Sequence, residues 1–187
     1  MNRSTGVLAR AFSLSIGLAI TAMLCVGAGP AAAAPIEYGN GCTLYPDNPA
    51  ATADSLRFRC TSPQTTAIYL ASTPGLAPNG VKNGWVTYPD QTAGIAPGLW
   101  IGKTFHTGPF GGWLQNRLTA AGIEGWQADV YLGPSLQDNK LSWVLNYAPS
   151  PTPPLIDEIR EVSPGVWMGY SYWRSFQNLG LLAFVLA

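Results

Sequence analysis

The amino-acid sequence predicts an all-β protein with antiparallel strands. Turn-forming residues are abundant, with 21 glycines and 16 prolines in 187 residues, and turn signals recur about every ten positions. Only 11% of the residues are charged, against roughly 25% in an average soluble domain, which excludes a coiled coil and a charge-rich disordered chain. Helical patterns do not alternate with the strands, so a parallel sheet is not expected.

Residues 1–34 are expected to direct export and then to be removed. Arg3 and Arg10 precede an apolar run from Ala11 to Val26, and four alanines end at Ala34. This is the pattern of a Sec-type signal peptide with cleavage after Ala34. The alternative, a membrane anchor, needs about 20 apolar residues. We therefore expect a secreted or extracytoplasmic protein whose mature chain contains no membrane span.

Two cysteines remain after such cleavage, Cys42 and Cys60. In an exported chain an even pair indicates a disulfide, worth about 3 kcal/mol in the loop-entropy description. Two buried free thiols are the alternative. The spacing is not Cys-x-x-Cys, and the chain has a single histidine, so neither a metal site nor a cofactor is predicted.

Nine segments have the alternation or the β-branched and aromatic composition of strands. They are Ser55–Cys60, Thr65–Ala71, Trp85–Tyr88, Leu99–Phe105, Gln127–Leu132, Leu141–Tyr147, Leu155–Val162, Val166–Trp173 and Leu179–Ala187. Residues 112–121 instead place apolar side chains at helical spacing, and Gly122 follows as a natural stop, which predicts one short helix there.

The last predicted strand is apolar and runs to the final residue, Ala187. Such a strand needs cover on both faces or a partner that closes a barrel. The Pro-rich stretch 148–154 lies between two strands and is therefore a loop. We expect residues 35–187 to form a single β-barrel domain of about eight to nine strands.

Motifs in the second half of the chain resemble a known family. The stretch Gly98–Gly102 (GLWIG) contains a Gly-x-Trp-x-Gly signature around Trp100, and a His-Thr-Gly sequence follows. The strand that contains Asp157 and the strand that contains Gly169 resemble DUF4334, the partner domain of the GXWXG family. The resemblance covers residues 96–187, and residues 35–95 have no counterpart in it.

The resemblance implies a calycin-like barrel, similar to lipocalins and fatty-acid-binding proteins. In such a barrel the tryptophan closes one end, and Gly98 and Gly102 allow close approach of the backbone. Asp157 and Gly169 are implied to be part of the structural motif. The resemblance implies no reaction.

Two function classes are excluded by composition and by a near-motif. The formal net charge is zero, so no basic surface indicates nucleic-acid binding. Residues 98–104 approach a phosphate-binding loop, but Pro97 occupies the position of its first glycine, so nucleotide hydrolysis is not expected.

His106 is the candidate general base, but no nucleophile motif accompanies it, and we predict no catalytic residue. Its alternative role is that of a polar residue at the mouth of the barrel. Lys103 shares a strand face with Ile101 and Phe105, so inside the barrel it could meet an anionic head group, and outside it would only add solubility. Arg160 could bind a ligand carboxylate, or it could form a surface pair with Glu158.

Seven tryptophans are too many for capping alone, and some could line a cavity for an apolar ligand. We therefore predict an exported barrel that binds a small apolar or amphipathic, lipid-like ligand, with Trp100, Lys103, His106 and Arg160 lining or guarding the site. One alternative is a cell-envelope interaction module whose barrel is filled by its own side chains. A second is a calycin-like isomerase or hydrolase that uses His106.

Overall fold

A computed structural model describes residues 33–119, 121–150 and 154–187 of the chain. Apart from Ala33 and Ala34, the predicted signal peptide lies outside these residues. Within the described ranges, no helix is both long enough and apolar enough to cross a membrane.

Two short strands and two helices come first: β1 (Ile36–Glu37), β2 (Thr43–Leu44), α1 (Pro49–Phe58) and α2 (Ser62–Ala71). Eight longer strands follow: β3 (Gly80–Tyr88), β4 (Gly102–Gly108), β5 (Gly111–Leu118), β6 (Ile123–Pro134), β7 (Leu141–Asn146), β8 (Leu155–Ser163), β9 (Val166–Trp173) and β10 (Phe176–Leu186). A short helix, α3 (Asp90–Ile95), and a 3-10 turn (Ala96–Gly98) connect β3 to β4.

Strands β3 to β10 form a closed antiparallel barrel in which each strand pairs with its sequence neighbour. The barrel closes between β10 and β3, where Val185 lies opposite Trp85 and Leu186 opposite Gly84. The prediction that the apolar last strand closes a barrel is therefore confirmed. We call the end that carries α3 and the β5–β6, β7–β8 and β9–β10 connections the open end, and the other end the closed end.

Two predicted strands near the start of the domain are wrong, because residues 55–60 and 65–71 belong largely to α1 and α2. The Asn48 side chain caps α1 by accepting a hydrogen bond from the Ala51 N–H at 3.0 Å. Gln64 Oε1 accepts from the Thr61 N–H at 2.8 Å at the start of α2. Both contacts satisfy backbone donors that a helix start leaves free.

The predicted helix at residues 112–121 is also wrong, because this segment forms β5. Its side chains alternate, with Leu114 and Asn116 buried inside the barrel and Trp113 exposed outside. Gly122 does end the element, but as part of the turn into β6, with φ +69°. Gly122 therefore does mark the end of an element, but the turn that contains it joins β5 and β6 in a hairpin.

The domain has two apolar cores, one on each side of the barrel wall. The inner core fills the closed half of the barrel and includes Phe105, Leu114, Val130, Leu145, Ile159 and Trp167. The outer core lies between the wall and the two helices, where Leu56 and Ile68 pack with Met168 and Val185. This second core explains why residues 166–173 and 179–187 are apolar on both faces.

The disulfide Cys42–Cys60 is present and joins the residue before β2 to the short segment between α1 and α2. Cys42 is fully buried in the outer core. The predicted pairing is thereby confirmed, and it ties residues 36–60 into one covering unit.

A loop at residues 73–79 covers the closed end. The Trp167 indole donates to the Leu76 carbonyl at 3.0 Å and the Trp143 indole to the Gly75 carbonyl at 3.4 Å. Ala77 packs against the inner core. The side chains of the inner core and this loop fill the closed half of the barrel, so the free interior volume lies in the open half.

Candidate functional site

A cavity of about 220 Å³ lies in the open half of the barrel, bordered by α3 and the 3-10 turn. Its apolar lining includes Val86, Trp100, Trp126, Leu155, Leu182 and Phe184. A concave, mainly apolar space with a few converging polar groups is the usual form of a small-molecule site.

The floor of this cavity is a polar cluster made of Lys103, Asn116, Tyr147, Asp157 and Ser171, all of which line the cavity. Lys103 lies in β4, Asn116 in β5, Asp157 in β8 and Ser171 in β9, and Tyr147 directly follows β7. Each lies two positions along its strand from a residue of the inner wall: Phe105, Leu114, Leu145, Ile159 and Gly169. Alternate strand residues point to the same face. The cluster is therefore a layer of side chains in or next to five of the eight barrel strands, and it lies on top of the inner core.

An ion pair forms the centre of the polar cluster. Lys103 Nζ lies 2.9 Å from Asp157 Oδ2, and the side chains are only 3% and 5% exposed. The same ammonium donates to Asn116 Oδ1 at 3.0 Å and to the Tyr147 hydroxyl. Three aromatic rings, those of Trp100, Tyr147 and Phe184, have centroids 5.2–5.3 Å from Nζ. Their negative faces favour a cation there.

Burial shifts the titration of this cluster. It lowers the pKa of Lys103, against the opposing effect of the Asp157 carboxylate. It also raises the pKa of the Tyr147 hydroxyl, and the charge of Asp157 adds to that effect. Tyr147 therefore remains a neutral phenol at physiological pH, and its hydroxyl hydrogen-bonds to Asp157 Oδ2 at 3.0 Å.

Trp100 forms part of the cavity wall and is held by a hydrogen bond. Its indole N–H donates to Asn116 Oδ1 at 2.8 Å. Because an indole only donates, this contact determines which end of the amide faces it. The Asn116 amide nitrogen then donates to the Trp126 carbonyl at 3.0 Å and to the Tyr147 hydroxyl at 3.1 Å.

Glycines allow the chain to pass closely around Trp100. A Cβ on Gly84 would lie 2.4 Å from the Trp100 ring, and one on Gly102 would lie 2.1 Å from the Lys82 carbonyl oxygen. Gly102 also has φ +137°. No such crowding surrounds Gly98, whereas a Cβ on Gly169 would meet the Phe184 ring at 2.6 Å. Three of these four glycines are therefore required by space.

Arg160 lies on the outer side of the barrel wall, which corrects the expectation that it lines the cavity. It is fully buried, and its guanidinium donates to both carboxylate oxygens of Asp138, at 3.0 and 2.6 Å. The hydrogen bond from Arg160 lowers the pKa of Asp138 to about 2. The neighbouring Glu158 is not its ion-pair partner and accepts instead from Ser135, Tyr172 and the Leu136 N–H.

His106 also lies outside the barrel, against the expectation that it guards the mouth. It is exposed and stacks on Trp113 of the neighbouring strand with ring centroids 3.9 Å apart. A reaction in the cavity would therefore not use His106. Among the described residues, no group of three or more His, Cys, Asp or Glu side chains is placed to hold a metal ion.

Of the predicted ligand-contacting residues, the structure brings Trp100 and Lys103 together at the cavity and leaves His106 and Arg160 outside it. Sequence reasoning missed Asn116, Tyr147 and Ser171 as site residues. The alternation of Leu114 with Asn116 would have revealed the first, if the segment had been recognised as a strand. Asp157 alternates with Leu155 and Ile159 along β8, and this pattern is consistent with its inward position in the floor.

No family model matches the chain, and no curated protein matches it. A protein from Thermomonospora curvata, known from a crystal structure, is similar at 15% sequence identity with a TM-score of 0.47. The match covers 68% of this chain and 87% of that one.

Proposed function

We propose that this protein is an exported β-barrel that binds one small, largely apolar molecule in its open half. The observation that carries the proposal is the cavity itself, with apolar walls above a polar floor whose members hydrogen-bond to one another. Apolar walls supply most of the binding free energy in such sites, and the few polar groups orient the ligand.

The volume defines the size of the ligand. An apolar cavity of about 150 Å³ holds benzene, so about 220 Å³ suits a compact molecule of about ten carbon atoms. A long-chain fatty acid would have to leave much of its chain outside the barrel. A terpenoid or bicyclic aromatic skeleton is therefore a better match than a membrane lipid.

The charge state of the floor favours a neutral ligand. Lys103 is already paired with Asp157, so the floor carries no net positive charge. An anionic head group would approach the Asp157 carboxylate in a buried site of low dielectric constant, where like charges repel strongly.

Export and contact with the cell envelope are part of the same proposal. Export is supported by the N-terminal sequence pattern and by the disulfide, which persists in oxidising compartments. We also propose a relationship to the GXWXG/DUF4334 group. Its support is that a Cβ on Gly102 or Gly169 would clash with neighbouring atoms, and that Trp100 lines the cavity.

The test is a thermal-shift and calorimetric screen with neutral bicyclic compounds of about ten carbon atoms. Ligand that binds only the folded state raises the midpoint of unfolding. Leu182→Trp, which fills the cavity, should abolish the shift. Leu141→Trp makes the same change at a side chain 57% exposed near the closed end and should keep it. Equal responses of these two variants would contradict the proposal.

A further inference from the structure

We infer that the cavity selects a ligand whose polar end is a hydrogen-bond donor, such as an alcohol or a phenol. It should discriminate against a ketone or a carboxylate of the same skeleton. This inference rests on the proposed function and specifies the chemical class of its ligand. It follows from counting which hydrogen-bonding positions in the floor are already used.

The donors of the charged residue are all used. A lysine ammonium has three N–H bonds, and Lys103 Nζ has three acceptors: Asn116 Oδ1, Asp157 Oδ2 and the Tyr147 hydroxyl. No N–H of Lys103 remains to meet a ligand carbonyl or carboxylate.

The donors of the neutral residues are used as well. Both N–H bonds of the Asn116 amide have acceptors, and the Trp100 indole donates to Asn116 Oδ1. The Tyr147 hydroxyl donates its one hydrogen to Asp157 Oδ2 and the Ser171 hydroxyl donates to Asp157 Oδ1 at 2.6 Å. Every side-chain N–H and O–H of the floor therefore already has an acceptor within the protein.

Free acceptor positions remain on two atoms. Asp157 Oδ1 accepts from Ser171, and a carboxylate oxygen has room for a second hydrogen bond. Ser171 Oγ gives its hydrogen away and keeps its own lone pairs. Both residues are at least 96% buried and both line the cavity. The floor thus offers oxygen lone pairs to a ligand.

The consequence for selectivity is asymmetric. A ligand hydroxyl adds a hydrogen bond to a charged acceptor, which is stronger than one between neutral groups. A ketone in the same place sets its oxygen against Asp157 Oδ1, so the ketone oxygen is buried without a hydrogen-bond donor and lies next to another electronegative oxygen. Sites built around such a polar contact reject the analogue that lacks it much more strongly than sites that read shape alone.

The experiment compares borneol with camphor, which share a ten-carbon bicyclic skeleton and differ in an alcohol against a ketone. A second pair, 2-naphthol and 2-naphthoate at pH 7, compares a neutral donor with an anion. Calorimetric titration of the full mature protein should give at least about tenfold tighter binding of the donor in each pair.

The outcomes separate this inference from the proposed function. Equal or tighter binding of camphor or 2-naphthoate overturns the donor rule and leaves the cavity as a binding site. Failure of all four compounds to bind up to their solubility overturns the rule and the proposed cavity function together.

The double variant Lys103→Met/Asp157→Leu locates the effect. It removes both charges at once and should reduce the preference for borneol over camphor to about twofold or less. A folded double variant that keeps the full preference contradicts the inference. If this variant does not fold, the comparison on the wild-type protein decides alone.

Discussion

The Lys103–Asp157 pair is the residue-scale feature on which the site depends. Two opposite charges lie 2.9 Å apart inside a barrel, almost without solvent contact. Removing charges from water is costly, and the pair repays that cost only because hydrogen bonds satisfy both groups. Leaving either charge alone should therefore be much worse than removing both.

We expect Lys103→Met to lower the free energy of unfolding by about 3–5 kcal/mol, because it leaves Asp157 buried without its partner. The double variant Lys103→Met/Asp157→Leu should recover most of that loss. Urea unfolding of the two variants measures the difference. Lys140→Met is the control: this lysine is 69% exposed and 3.7 Å from Asp138, so its loss should cost under about 1 kcal/mol. A double variant that is no more stable than Lys103→Met would contradict the coupling.

The Arg160–Asp138 pair predicts a specific acid sensitivity. Asp138 has its pKa lowered from 3.8 to about 2 in the folded protein, so its stabilisation is complete above about pH 4 and is lost as the pH falls towards 2. Asp138→Asn should cost about 1–2 kcal/mol of this stabilisation at pH 7. The difference in unfolding free energy between the wild-type protein and Asp138→Asn should become smaller as the pH falls from 4 to 2.

Urea unfolding at pH 7, 4 and 2.5 checks this expectation. Asp54→Asn serves as the control, because Asp54 forms an exposed pair with Arg57. If the difference in unfolding free energy between the wild-type protein and Asp138→Asn does not depend on pH, the assignment of the lowered pKa to Asp138 is refuted.

The direction in which the side chain points could be predicted from the sequence for Lys103 but not for Arg160. Lys103 alternates with Phe105, and that pattern correctly allowed an inward ammonium. Arg160 lies on a strand whose two faces are both buried, one by the inner core and one by a loop and α2. The alternation of residues along β8 shows which neighbours share a face with Arg160, but it does not show which face of the strand lines the cavity.

At the scale of elements, α1 and α2 cover the outer surface of the barrel wall, as a second sheet covers the first in a β-sandwich. They cover apolar side chains of β9 and β10 that would otherwise face water. Their position is secured at one end by the disulfide, which closes a loop with a sequence separation of 18.

Removing this disulfide should loosen the helical cover. The double variant Cys42→Ala/Cys60→Ala is expected to lose about 3 kcal/mol of unfolding free energy, since the unfolded chain regains the freedom of the open loop. Denaturant unfolding measures the loss, and reduction of the wild-type protein should produce a similar one. The variant should not respond to a reductant. A wild-type protein insensitive to reduction would argue against a stabilising bridge.

The elements missed in the sequence had local signals. Pro49 after Asn48, and Gln64 three residues after Thr61, mark helix starts, but a chance alternation of Leu56 with Phe58 favoured a strand. In β5 the error was reversed, since its residues also match a helical spacing over ten positions. Short amphipathic segments satisfy both periods, and only tertiary contacts separate them.

At the scale of the whole molecule, the barrel is divided into a packed half and a hollow half. The packed half supplies the rigid layer on which the polar floor rests, and the open half supplies the volume. Closure of the barrel could be predicted from the apolar last strand. This division could not, because it depends on how the side chains of eight strands share one interior.

The two halves should respond separately to substitution. Trp167→Phe removes the indole donor that holds the Leu76 carbonyl at the closed end and should cost about 1 kcal/mol. Limited proteolysis should become faster within residues 73–79, while borneol binding changes by less than about twofold. A large loss of affinity in this variant would show that the halves are coupled.

The packed half has a consequence for exchange kinetics. Because the inner core blocks passage towards the closed end, a bound molecule leaves past α3 and the next one enters by that route. The space holds one molecule of about ten carbon atoms, so a competitor cannot push the occupant out from behind. Displacement in a stopped-flow experiment should then follow the dissociation rate of the first ligand, and raising the competitor concentration should not accelerate it.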